Sequence, residues 1–195
     1  MSLPLQEITT REIAATTEKI YTYEDYRKLP EGAPYQLIGG MLIMTPAPST
    51  YHQIISMKLE VKLAVLVMEK DLGLVLDAPI DVYLGENDTY QPDIIFIARD
   101  RLTIIEPDKI NGAPDMVVEI LSPGTAYYDL RKKFKIYEKN GVREYWIVDP
   151  EEQSVEVYTL QEGKFMIGQK VEKQGHIHST VLEGFTVAVE KIFAR

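Results

Sequence analysis

Two stretches, Asp93 to Ala98 and Met116 to Leu121, constrain the fold more than any other part of the chain. Both are continuous, largely β-branched apolar runs, the pattern of strands covered on both faces rather than on one. A chain with two such strands must build a sheet and place a layer against each side of it. Each run also carries a charge. Asp93 opens the first behind Pro92, and Glu119 interrupts the second. Charged side chains are rarely buried unless paired or bound to metal, so these two need an explanation.

The other elements are predicted around this pair. Thr22 can cap a short helix from Tyr23 to about Leu29, ended by Pro30 and Gly32. Tyr35 to Met44 reads as two strands about Gly39-Gly40. Ser49 or Thr50 can cap a helix from about Tyr51 to Lys70. Residues 55–63 also alternate as a strand would, but the length favours a helix. Its second half is apolar nearly all round, which predicts deep burial. Leu74 to Tyr83 reads as a strand, and Asn87-Asp88 as the turn after it. A helix over about Ala126 to Lys139 follows Ser122-Pro123-Gly124-Thr125 and ends at Asn140-Gly141. Val142 to Val148 is a further strand. Ser154 to Leu160, Lys164 to Val171 and Ile177 to Leu182 form a predicted C-terminal β-meander, with a short helix from about Val189. The order implies one α/β (α+β) domain over 21–195, with a mixed central β-sheet flanked by helices. Residues 1–20 are polar and Thr-rich and read as a mobile N-terminal arm.

Composition narrows the function. The net charge of −9 weighs against a general nucleic-acid binder but leaves room for local basic groups. No cysteine is present, which excludes disulfides and thiolate metal sites and fits a cytoplasmic location. No apolar run approaches the roughly 20 residues of a membrane helix, and the first residues do not read as a signal peptide.

Asp93, taken alone, suits a strand-end turn that bonds local amides as well as it suits a ligand site. Glu119 fits a buried ion pair or a cation ligand. Lys133 sharpens the choice. On a helical wheel Ala126, Leu130, Phe134 and Tyr137 form the core stripe, Lys132, Lys135 and Lys139 lie opposite, and Lys133 falls beside Tyr137. Lys133 therefore points toward the sheet, unless it snorkels past an apolar rim or pairs with Asp129. Two carboxylates and an ammonium match metal-assisted hydrolysis. Asp93, Glu119 and the backbone carbonyl of Ile120 are the candidate ligands for Mg²⁺ or Mn²⁺, and Lys133 would orient water or stabilise developing charge.

These residues sit within longer motifs. P-D at 92–93, V-V-E-I-L-S-P at 117–123, D-x-x-x-K-x-x-x-Y at 129–137 and G-V-R-E-Y-W-I-V-D-P at 141–150 resemble the Uma-type family of restriction endonucleases, in the PD-(D/E)XK nuclease superfamily. The resemblance spans roughly residues 20–193. It implies a restriction-endonuclease-like core, Mg²⁺-dependent cleavage of nucleic-acid phosphodiesters, with DNA the expected substrate, and a homodimer by analogy. The plain superfamily motif puts its Lys two residues after the acidic residue, where this chain has Leu121. The family resembled supplies it from the next helix, as Lys133 would.

This chain departs from the resemblance at one place. Where the family shows Y-E-L-I-D-G, it reads Tyr35-Gln36-Leu37-Ile38-Gly39-Gly40. Gln36 keeps hydrogen bonding at a catalytic position but loses the charge, which argues against a second metal. His52 falls where the family often has a His, and would touch phosphate or water, or serve structure. His176 and His178 read as surface residues. The alternatives to a nuclease are a catalytically decayed binding module of the same fold and a two-carboxylate glycosidase. Lys133 and the Pro-Asp motif argue against the glycosidase.

Overall fold

The computed structural model describes residues 19–122 and 128–194. Most of the predicted N-terminal arm lies outside these residues, as does the start of the predicted helix at Ala126.

A six-stranded mixed sheet forms the centre. It contains β3 (Gly73–Asp77), β6 (Ile94–Ala98), β8 (Met116–Ile120), β9 (Glu144–Asp149), β10 (Ser154–Gln161) and β11 (Lys164–Glu172). Their spatial order is β11-β10-β9-β8-β6-β3. Only β8 and β9 run parallel; the other neighbours are antiparallel.

Both faces of this sheet are covered, as the continuous apolar runs require. Ile94, Phe96, Met116, Val118 and Ile120 pack against α2 (Thr50–Glu69) and α4 (Val189–Phe193). Their sequence neighbours Ile95, Ile97 and Val117 face the other way, into a second core with Tyr90, Tyr137 and Tyr145. Successive strand residues point to opposite faces, so two full cores need every position to be apolar.

The second core is closed by a five-stranded sheet that the sequence did not reveal as a unit. It contains β1 (Tyr35–Ile38), β2 (Met41–Met44), β4 (Val82–Gly85), β5 (Asp88–Tyr90) and β7 (Ile110–Asn111), in the order β2-β1-β5-β4-β7. The predicted strand Leu74 to Tyr83 is in fact β3 and β4, which belong to different sheets. The break falls at Ala78-Pro79, where proline has no N–H to continue a ladder.

Three further expectations are corrected. The second half of α2 is not deeply buried: Leu59, Leu63 and Val67 face the core, whereas Val61, Val65 and Met68 face outward and are exposed. An outer-layer helix has only one sheet to cover it. The last strand of the predicted meander leaves the central sheet, and β12 (His176–His178) pairs instead with β13 (Thr186–Ala188). In the helix bearing Lys133, Leu130 is exposed rather than core. Residues Tyr128–Lys133 form a wider π-helical turn before α3 (Phe134–Asn140), so the wheel phase slips before Leu130 reaches the sheet.

The short helices follow the caps. Thr22 and Asp25 make a reciprocal capping box on α1 (Tyr23–Tyr26). Ser49 accepts the backbone N–H of His52 at the start of α2. Gly141, at φ 84°, ends α3 in the left-handed region.

Candidate active site

The site lies where β6 and β8 end side by side. Ile94 pairs with Val118 in an antiparallel register. Continuing that register by one residue sets Asp93 across from Glu119, and directly opposed residues project from the same face. Asp93 also binds the neighbouring strand itself, because its Oδ2 accepts the backbone N–H of Ile120 at 2.7 Å.

From one side α3 closes on this pair. Lys133 Nζ donates to Glu119 Oε1 at 2.9 Å, and the Tyr137 hydroxyl donates to the same oxygen at 2.7 Å. Lys133 and Tyr137 are four residues apart and so share one helical side. Glu119 and Lys133 are each 3% exposed, and Tyr137 is fully buried. Burial, reinforced by the negative charge of Glu119, holds the Tyr137 hydroxyl well above its ordinary pKa. It therefore stays protonated and remains a donor. Tyr90 packs edge-on to Tyr137, with ring centroids 5.5 Å apart. Lys133 Nζ stands 5.9 Å from the Tyr90 ring centroid.

From the other side comes His52, in the first turn of α2. Its Nε2 lies 3.1 Å from the Ile120 carbonyl oxygen and 3.3 Å from Asp93 Oδ1. Two oxygens, from adjacent strands, thus meet the same ring nitrogen, a place that favours a positively charged or proton-bearing group. A hard divalent cation bound by these two oxygens would take the place that His52 Nε2 holds. Asp93 and the Ile120 carbonyl meet there. Glu119 is turned toward Lys133 and Tyr137, and among the described residues no three His, Asp or Glu side chains are grouped to hold a metal.

Gln36 enters from β1. Its Oε1 accepts the backbone N–H of Gln91 at 3.0 Å. Gln91 is anchored in turn, donating through Nε2 to Asp81 Oδ1 at 2.9 Å, and the Tyr26 hydroxyl donates to the same oxygen at 2.8 Å.

All six positions singled out in the sequence, Gln36, His52, Asp93, Glu119, Ile120 and Lys133, line one open cavity of about 950 Å³. Its walls are mainly uncharged, with Pro34, Pro46, Pro48 and Pro79 among them. Glu119 and Lys133 are each other's partner, so the ion-pair reading of Glu119 and the inward-facing reading of Lys133 describe one contact. His176 and His178 are exposed and away from the cleft lining, as expected.

Sequence reasoning treated Tyr137 only as core, although its spacing from Lys133 was the signal for its hydroxyl. It also passed over two other fully buried carboxylates, Asp115 and Glu144. Asp115 is held by Arg101, Arg143 and the backbone N–H of Ala98, while Glu144 accepts from Trp146 and from the backbone of Thr180.

A mixed sheet covered on both faces, with an acidic pair at its strand ends and a buried lysine from the next helix, defines a restriction-endonuclease-like fold. Residues 23–190 match the family model of Uma2, described as "Putative restriction endonuclease". The chain belongs to that family. A solved structure described as a "putative nuclease belonging to DUF820 from Anabaena variabilis" is similar to it, with a TM-score of 0.74 and 24% identity over 88% of this chain and 97% of that one. At that identity the likeness speaks for the fold. No curated protein matches the chain. Among the described residues no helix is long and apolar enough to cross a membrane.

Proposed function

We propose that the protein is a metal-dependent endonuclease that hydrolyses phosphodiester bonds, with DNA as its substrate. The observation that carries this reading is that Asp93 Oδ1 and the Ile120 carbonyl both lie against His52 Nε2, in the cleft that the Glu119–Lys133 pair also lines. Asp93, the Ile120 carbonyl and Glu119 would hold Mg²⁺ or Mn²⁺. Such an ion, when bound, lowers the pKa of a water and offsets charge on the phosphate.

The chain's own residues do the rest. Lys133 holds its ammonium inside the cleft at the acidic pair, where it can orient the attacking water and stabilise negative charge on a phosphoryl oxygen. Tyr137 keeps a donor on Glu119 Oε1 when Lys133 turns to substrate. His52 sits against Asp93 and Ile120, within reach of a water or phosphate at that point. The assembly we assign is a homodimer in the cytoplasm, since two strand cuts call for two sites.

A second reading is a binding module of the same fold that has lost hydrolysis. Two observations favour it: Gln36 brings no charge to the cleft, and Lys133 is tied to Glu119.

Mn²⁺ titration by calorimetry, with wild type, Glu119→Gln and Asp93→Asn, followed by plasmid and oligonucleotide cleavage, tests the proposal. Binding in wild type alone, with Mn²⁺-dependent cleavage that Lys133→Met abolishes, is the expected result. Mn²⁺ binding without cleavage of any duplex or single strand would leave the binding module as the better reading.

A further inference from the structure

Gln36 has an orientation set by its neighbours. A backbone N–H cannot donate to an amide NH₂, so the contact from Gln91 N identifies the bound end of Gln36 as Oε1. That oxygen is held by a segment that is itself fixed, through the contacts of Gln91 and Tyr26 to Asp81. The planar amide then has Nε2 as the polar atom it offers to the cleft it lines. Gln91 stands two residues from Asp93, so the amide is held by the same short stretch that presents the Asp93 carboxylate.

Resting on the nuclease reading above, we infer that Gln36 is a fixed hydrogen-bond donor to a phosphoryl oxygen of the substrate, and that the cleft accordingly takes one divalent cation rather than two. The chemistry follows from charge. A carboxylate at this position would repel the phosphate and add a cation ligand. A neutral amide whose oxygen is already engaged does neither, and its N–H bond to an anionic oxygen is of the stronger, charge-assisted kind. The two donors facing the substrate phosphate are then Lys133 Nζ and Gln36 Nε2, set against the acidic pair at the strand ends.

The test compares wild type with Gln36→Glu and Gln36→Met. Glu keeps an oxygen for the Gln91 N–H and exchanges the donor for a charged acceptor, so the fold is retained. Circular dichroism checks this. Two probes are titrated by calorimetry: Mn²⁺ alone, and thymidine 3′,5′-bisphosphate with saturating Mg²⁺. In Gln36→Glu the bisphosphate should bind about tenfold or more weakly, while Mn²⁺ binds more tightly or gains a second equivalent. In Gln36→Met the bisphosphate should also weaken, with Mn²⁺ unchanged. Bisphosphate affinity within about twofold of wild type in both variants, with wild type binding Mn²⁺ normally, overturns the donor role and leaves the nuclease reading standing. Wild type that binds no Mn²⁺ overturns both.

Discussion

Replacing Lys133 by methionine should cost more stability than any exposed lysine could. The ammonium lies 2.9 Å from Glu119, and both side chains are almost entirely shielded from water. Removing one partner of such a pair strands a buried charge, which costs about 3–5 kcal/mol. Tyr137 still donates to Glu119 in this variant, so about 3 kcal/mol is the expected loss. That is a large share of the roughly 5–15 kcal/mol that holds a domain folded. Glu119→Met should be worse. It strands Lys133 and also takes the acceptor from the fully buried Tyr137 hydroxyl, which adds about 1–3 kcal/mol.

The double variant Glu119→Met/Lys133→Met separates these terms. With both charges gone, apolar side chains of similar length fill the same space. Such replacements are often neutral, or stabilising by about 1–4 kcal/mol. The double variant should therefore recover most of the loss, and adding Tyr137→Phe should recover the rest. Urea unfolding followed by the fluorescence of Trp146, the lone tryptophan and fully buried, reads all four variants against wild type. A Lys133→Met loss below about 1 kcal/mol would refute the argument that the pair is desolvated. So would a double variant as unstable as the two single losses added together. If the triple variant matches or exceeds wild type, the fold does not need these charges, and their presence calls for a chemical reason.

Three other outcomes follow from the same structure. Asp115→Asn should lose about 1–3 kcal/mol in urea unfolding, because this buried carboxylate bonds Arg101 and Arg143, at 2.9 and 3.3 Å, while the arginines themselves reach solvent. Burial, and secondarily the charge of Asp77, raises the Glu60 carboxyl above its ordinary value of 4.5. The folded state therefore binds this proton more tightly; the contribution is favourable below pH 4.5 and is lost as pH rises through the folded value. Glu60→Gln should then stabilise the protein at pH 7, by no more than about 0.5 kcal/mol for so accessible a group, with little effect at pH 4 in thermal unfolding. Finally, Mn²⁺ at a hundred times its dissociation constant should raise unfolding stability by about 2.7 kcal/mol in wild type and leave Asp93→Asn unmoved.

The legible part of the fold was the part set by local rules. The continuous runs at β6 and β8 called for a sheet covered on both faces, and the caps at Thr22 and Ser49 and the stop at Gly141 fixed helix ends. What stayed hidden depended on contacts distant in sequence. β5 is three residues long, and β7 two, and neither carries a periodic signal of its own. The split of Leu74–Tyr83 between two sheets was written in Pro79, but which sheet each half joins is decided by pairing with β6 and with β5. The π-helical turn at Tyr128–Lys133 likewise moved Leu130 to the surface while leaving Lys133 and Tyr137 inward, which no ideal wheel can anticipate.

The candidate site was legible for a different reason. A charge inside an apolar strand is a local anomaly, and anomalies at Asp93, Glu119 and Lys133 led to one cleft. The same signal is not specific. Glu144 also lies in an apolar strand and is as buried as Glu119, yet it anchors the turn at Thr180 and the indole of Trp146. The two differ in what surrounds them. Glu144 is answered chiefly by neutral donors of the protein and lies away from the cleft lining. Glu119 is answered by a lysine that lines the cavity beside it, and across the register stands Asp93, whose second oxygen shares His52 Nε2 with the Ile120 carbonyl. Burial alone marks a carboxylate as costly. Opposed carboxylates lining a cleft, with the cation that balances one of them beside it, are what would give that cost a chemical purpose, as proposed above.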